Sequence, residues 1–237
     1  MKLSKNIAAE NLFLIIGDAL IISDIHLGYE ESLHKQGFFI PKGNVSELTH
    51  IINNTIVKKS IKKIILNGDL VHSFGKLSLK ERYVVKEFIT DLKKKVSKII
   101  IIKGNHDNVL EYILPEEKIV KEHIIGDVLI THGDLINSNA NKKEIRTIII
   151  GHEHPSITIS LGYRTEKYKC FLKGFYKKKE LIVMPSCNML IEGTDILREK
   201  LLSPYLENID SFNVYIIGDK IYDFGKISAL KDKMSNS

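Results

Sequence analysis

Ala19-Leu20-Ile21-Ile22-Ser23-Asp24-Ile25-His26-Leu27-Gly28 is the stretch from which the rest of the chain is read. Ala19 to Ser23 is an apolar run of the length and composition of a buried strand. The run ends on Asp24, and His26 follows two positions later. On extended chain that spacing turns both side chains to one face. A carboxylate and an imidazole converging at a strand end can chelate a divalent cation. A turn-capping Asp beside a surface His would leave the same pair, so the pair alone does not decide between the two.

Four more polar clusters lie downstream: Asp69, then Asn105-His106-Asp107, then His132, then His152 with His154. Apolar runs precede them at Lys63 to Leu66, Ile99 to Ile102, Val128 to Thr131 and Thr147 to Ile150. Five of the nine histidines fall within the five clusters. Glycine stands immediately before Asp69, Asn105 and His152, and is read as letting each chain turn sharply on leaving its strand. Pro155 biases His154 towards extended backbone, which would place His152 and His154 on one face, within reach of two neighbouring metals. Oxygen and imidazole ligands with one amide suit a pair of Mn, Fe, Zn or similar ions better than Ca. Two cations roughly 3.5–4 Å apart suit displacement at phosphorus, because they bind phosphoryl oxygens and acidify a shared water.

The chain around these clusters has two characters. Leu12 to Ser23 reads as a hairpin turning at Gly17-Asp18, and the phrase Ile-Ile-Gly-Asp recurs at Ile124 to Asp127 and Ile216 to Asp219. Asp18, Asp127 and Asp219 are therefore turn residues and not ligands. Val45, Leu48, Ile51, Ile52 and Ile56 mark one stripe of a helix from about Asn44 to Lys59, with His50 off the stripe. Ser78-Leu79-Lys80-Glu81 matches a capping box, and the helix it opens ends near Lys95. Strand and helix alternate in the first half, with the polar residues at strand C-termini; hairpins dominate the second. The expected fold is α/β (α+β): a mixed β-sandwich of two sheets flanked by helices. Residues 1–237 read as one domain with a frayed tail from about 228 to 237.

Composition excludes several classes. At 43% hydrophobic and 27% charged residues the chain is ordinary for a globular protein, and no apolar run reaches the length of a bilayer span. Met1 to Glu10 lacks the apolar core of a signal peptide, so a cytoplasmic location and no membrane partner are expected. Cys170 and Cys187 form no CxxC pair and read as buried thiols, leaving His, Asp and Asn to build any metal site. The net charge of +6 permits an anionic substrate without requiring one. The runs Lys93 to Lys95 and Lys177 to Lys179 read as solvated faces, not as a nucleic-acid stripe.

Taken in order, Asp24-Ile25-His26, Gly68-Asp69, Gly104-Asn105-His106-Asp107, His132 and Gly151-His152-Glu153-His154 resemble the five-part pattern of the calcineurin-like metallophosphoesterases. The resemblance implies a four-layer αββα fold and a metal-dependent phosphoesterase. It implies that Asp24, His26, Asp69 and His154 hold one metal, and that Asp69 bridges to a second completed by Asn105, His132 and His152. It assigns His106 to protonating the leaving oxygen or stabilising phosphoryl charge, with Asp107 orienting it. His72 and Asp134 lie beside ligands and could support them; Glu153 is expected to point away. Two divalent ions are implied, Mn2+ first, with Fe, Zn or Ni as alternatives.

A narrower resemblance rests on Ser23 to Gly28, Ile40-Pro41-Lys42-Gly43, Gly68 to Ser73, Gly151 to Pro155, Cys170-Phe171-Leu172 and Met184-Pro185-Ser186. These are similar to an archaeal subgroup related to the nuclease SbcD and to the bacterial DNA-ligase-associated phosphoesterases. The additional C-terminal DNA-binding domain of the large DNA-end nucleases is lacking, so double-strand-end processing is not expected. The implied activity is a phosphodiesterase using a metal-activated hydroxide on single-stranded DNA, RNA or a small nucleotide. A phosphomonoesterase and a non-catalytic scaffold on the same fold are the alternatives. Substrate and oligomeric state are not legible in the sequence.

Overall fold

The computed structural model describes residues 1–40, 43–73, 75, 77–161 and 164–235. Pro41 and Lys42 of the Ile40–Gly43 step lie outside the described residues. Seven strands form the first sheet in chain order: β1 (Lys2–Ser4), β2 (Ile7–Glu10), β3 (Phe13–Ile16), β4 (Ala19–Ser23), β5 (Lys63–Asn67), β6 (Lys98–Ile102) and β7 (Ile119–Val120). The second sheet comprises β8 (Glu122–Ile125), β9 (Val128–Thr131), β10 (Thr147–Ile150), β11 (Pro155–Leu161), β12 (Arg164–Tyr176), β13 (Lys179–Val183) and β14 (Thr194–Asp195). Its order is β14-β11-β12-β13-β10-β9-β8. β15 (Asn213–Ile217) pairs with β12, and β16 (Ile221–Lys226) with β15. The helices are α1 (Tyr29–Lys35), α2 (Asn44–Lys59), α3 (Leu79–Lys93), α4 (Leu110–Ile113) and α5 (Ile227–Ser235), with a 3-10 turn at Ser138–Asn141.

The central strands read as unbroken apolar runs because both of their faces are buried. On β5, Ile64 and Leu66 join a core with Leu48 and Ile52 of α2 and Val85 and Phe88 of α3. The alternate residue, Ile65, joins Ile21, Ile100, Ile130, Ile149, Phe171 and Ile182 between the two sheets. On the second sheet Ile148 and Ile150 of β10 face a third cluster with Tyr205, Phe212 and Ile227. The layers are thus helices, sheet, sheet, and an outer cover built from residues 196–212 and α5.

The three Gly-Asp hairpins form as read, pairing Leu14 with Ile21, Ile124 with Leu129 and Ile216 with Tyr222. The capping box also forms: the Ser78 hydroxyl accepts the Glu81 amide at 3.2 Å, and the Glu81 carboxylate accepts the Ser78 amide at 2.7 Å. Of the tail read as frayed, residues 236 and 237 lie outside the described residues. Ile227–Ser235 is helical, because Ile227 and Leu230 close over the outer face of the second sheet. β1 and β2, which carry only short apolar segments, were not expected.

Strands β4, β5 and β6 run parallel in the first sheet, and β9, β10 and β13 run parallel in the second. Their C-terminal ends therefore open on one edge of the sandwich. All five polar clusters leave the sheets there, as expected for ligand sites of parallel sheets.

Candidate metal centre

Asp24 directly follows β4, Asp69 follows β5 by one glycine, Asn105 and His106 follow β6, His132 follows β9, and His152 and His154 follow β10. Asp24, His26 and His154 bring their ligand atoms within 4.8 Å of one another, and Asp69, His132 and His152 do the same. Asn105 joins the second group, its Oδ1 lying 3.0 Å from His132 Nε2. One Asp69 oxygen, Oδ2, stands between the groups: it is 3.8 Å from His26 Nε2 and 3.4 Å from His132 Nε2.

The backbone achieves this convergence differently from the extended geometry expected. Asp24 (φ 54°), His26 (49°), Asp69 (44°), His152 (63°) and His154 (49°) all occupy the left-handed region. Such conformations cost a non-glycine residue of order 1–3 kcal/mol and persist where surrounding bonds over-determine them. Those bonds are present. The Asp24 amide donates to the Gly68 carbonyl and the His26 amide to the Asp69 carbonyl, at 3.2 and 2.9 Å. The His152 amide donates to both Asp24 carboxylate oxygens, at 3.2 and 3.1 Å. The role expected of two glycines changes as well. Gly104 and Gly151 lack positive φ; a Cβ on Gly104 would overlap Asp69, and one on Gly151 would overlap Ser23 and Asp24. They are needed for close approach, whereas Gly68 does turn, at φ 78°.

Electrostatics reflect burial and proximity. Burial pushes the Asp24 carboxyl up, but the imidazoles of His154, His132 and His26 outweigh it and hold it well below the usual carboxylate range. Burial, aided by His154, pushes His26 down to about 3, which keeps it a neutral donor. Burial opposes charge on His132, but its hydrogen bond to Asp69 and the charges of Asp24 and Asp69 raise it to about 9. A cation bound there would take the place of that proton.

The clustered residues could hold divalent cations. His26 Nε2 and His154 Nε2 face each other at 3.4 Å, and His154 Nε2 lies 3.3 Å from Asp24 Oδ1. Imidazole nitrogens and a carboxylate oxygen facing one another at that spacing are donor atoms that a cation could share. Thiols contribute nothing: Cys170 and Cys187 are both buried, and burial pushes Cys187 up to about 12.

His106 lies beside the centre, its Nε2 3.8 Å from Asp69 Oδ2. Its Nδ1 lies 2.5 Å from the His72 carbonyl, and the His72 ring stacks on it at 5.8 Å between centroids. His72, His26 and His106 form a third convergent group. Asp107 follows His106 and is buried. Its carboxylate accepts the Gly104 and Val71 amides at 2.9 and 3.1 Å, fastening one ligand loop to the next. Burial pushes that carboxyl up to about 6.

Supporting residues went unread in the sequence. The Ser23 hydroxyl donates to Asp24 Oδ2 at 2.6 Å. The Ser186 hydroxyl donates to the Asp24 carbonyl at 2.7 Å, and Asn188 Nδ2 to the Ile25 carbonyl at 2.9 Å. Half-buried Lys169 holds that segment by donating to the carbonyls of Ser186 and Asn188 at 2.7 and 2.5 Å. Met184-Pro185-Ser186 stood out in the sequence only as a motif. Nothing local signals that it closes over residues about 160 positions earlier.

A two-sheet sandwich with carboxylates and imidazoles converging at its strand ends could support metal-dependent hydrolysis. The sequence profile of the calcineurin-like phosphoesterases matches residues 17–173, more than half of the chain, and the chain belongs to that family. No curated protein sequence matches it significantly. Among solved structures, the Pseudomonas putida nuclease MPE aligns over 90% of this chain and 91% of its own, with a TM-score of 0.61 and 16% identity. That likeness concerns the fold. YfcE, a phosphoesterase from E. coli, aligns over 88% of this chain and 97% of its own, with a TM-score of 0.43 and 14% identity. Among the described residues no helix is long and apolar enough to cross a membrane.

Proposed function

We propose that the chain is a two-metal phosphodiesterase acting on a nucleotide or nucleic-acid diester. The observation that carries this reading is Asp69 Oδ2, within 3.8 Å of His26 Nε2 and 3.4 Å of His132 Nε2, where one carboxylate serves both ligand groups. Asp24, His26, Asp69 and His154 would hold one cation, and Asp69, Asn105, His132 and His152 the other. When bound, the pair supplies Lewis acidity to the phosphoryl oxygens and an acidified water as nucleophile. Mn2+ is the proposed ion, since the set is oxygen and imidazole without thiolate; Fe, Zn and Ni suit the same donors.

His106 is the proposed proton donor. The His72 carbonyl can only accept, so His106 Nδ1 carries a hydrogen and Nε2 is the atom that gains or loses one. Nε2 is on the side of Asp69, where a leaving oxygen would depart. Asp107 keeps the loop carrying His106 in register with the loop carrying Asp69. The net charge of +6 favours an anionic substrate, and the name of the P. putida fold relative supports a nucleic-acid diester.

Hydrolysis of bis-p-nitrophenyl phosphate by metal-stripped protein tests the reading. The expected result is turnover that appears on adding Mn2+ and exceeds that of p-nitrophenyl phosphate. A preference for the monoester would make the chain a phosphomonoesterase. Absence of both activities with metal bound would leave a scaffold.

A further inference from the structure

Glu153 stands between two ligand histidines and is completely buried, at 0% exposure. Both neighbours have left-handed backbone, His152 at φ 63° and His154 at φ 49°. The Glu153 carboxylate turns away from the metal centre, as expected, but not towards solvent. Its Oε2 accepts the amides of Leu202 and Ser203, at 2.8 and 2.9 Å. The Ser203 hydroxyl then donates to the Gly133 carbonyl at 2.7 Å, one residue beyond His132. The His132 carbonyl in turn accepts the Gly151 amide at 2.8 Å. On the other side of the same turn, the Thr194 amide donates to the His154 carbonyl at 3.0 Å.

The segment from Thr194 to Ser203 therefore touches both ligand loops of the second sheet while contributing no ligand itself. We propose that Glu153 and Ser203 are positioning residues, forming a clamp that holds His132 and His152 at the spacing one cation requires. The physical argument is direct. Each of these histidines sits on a short loop beyond its strand, and His152 is in a conformation that local propensity opposes. The Gly151–His132 bond links the loops at their bases. Glu153 and Ser203 link them again beyond the histidines, through one turn that is itself anchored in the core by buried Tyr205 and Leu206. A loop fixed at two points holds in place the backbone from which its imidazole projects. Groups that orient ligands in this way typically change metal affinity about 10–100-fold when removed.

The proposal rests on the assignment of His132 and His152 to one cation. Calorimetric titration of metal-stripped protein with Mn2+ tests it. Ser203→Ala should weaken one of two Mn2+ sites about tenfold and leave the other unchanged. Glu153→Ala should weaken the same site, and Glu153→Gln, whose oxygen can still accept both amides, should weaken it less. Ser203→Thr, which keeps the hydroxyl, should restore affinity. Ile209→Val, a conservative change in the same core cluster, should lower the thermal midpoint without moving either affinity. Wild-type affinities in Ser203→Ala would overturn the clamp alone. So would an equal loss in Ile209→Val, which would make the effect one of stability. Fewer than two Mn2+ on the wild-type chain would overturn the two-metal reading and the clamp together.

Discussion

Asp69→Asn should reduce Mn2+-dependent hydrolysis of bis-p-nitrophenyl phosphate by about a thousandfold, with the fold retained. The two carboxylate oxygens do different work. Oδ1 accepts the His106 amide at 2.9 Å, and an asparagine oxygen can keep that bond. Oδ2 faces His26, His132 and His106, each within 3.8 Å. In asparagine that position becomes an NH2 group, which donates hydrogens where a shared cation needs electron pairs. The charge that joins the two groups is lost as well. Removing one preorganised electrostatic contact from a reacting centre typically costs about 10²–10³-fold in rate. A residue serving both metals belongs at the upper end. Circular dichroism and the thermal midpoint should remain close to wild type. Activity within tenfold of wild type would show that Asp69 does not bridge.

His106→Ala should lower turnover by an amount that depends on the leaving group. A proton donor matters most when the departing oxygen is a poor leaving group, and general acid catalysis contributes roughly a hundred- to ten-thousandfold there. A dinucleotide diester leaves as an alkoxide and needs the proton. Nitrophenolate is stable unprotonated and needs it far less. The expected loss is therefore at least about a hundredfold on a dinucleotide and much smaller on bis-p-nitrophenyl phosphate. Mn2+ binding should be unaltered, since His106 is outside both proposed ligand sets. Equal losses on the two substrates would instead assign His106 to stabilising phosphoryl charge, and no loss on either would remove it from the mechanism.

The difference between what the sequence displayed and what it concealed has a physical basis. Asp24, Asp69, Asn105, His132 and His152 were legible because each follows an apolar strand, and strands buried on both faces announce their own ends. The hairpins at Gly17-Asp18, Gly126-Asp127 and Gly218-Asp219 and the capping box at Ser78 were legible because their bonds are local. The left-handed backbone of Asp24, His26, Asp69, His152 and His154 was not. Residue type argues against it, and what stabilises it at Asp24 and His152 is a bond between residues 128 positions apart. The same holds for Asn188, whose side chain secures Ile25 from 163 positions away. Asp107 was assigned by resemblance to orienting His106; not legible was that its carboxylate satisfies buried amides on two loops. The helix Ile227–Ser235 was concealed because, among the described residues, Ile227 and Leu230 are its contribution to the core cluster, too few to mark a period.

The central claim is that one carboxylate joins two cation sites. Electron paramagnetic resonance of metal-stripped protein titrated with Mn2+ tests it most directly. The account predicts two Mn2+ bound per chain and, at saturation, the spectrum of an exchange-coupled pair in place of the isolated-ion signal. A single Mn2+ per chain, or two that remain magnetically independent, would contradict it.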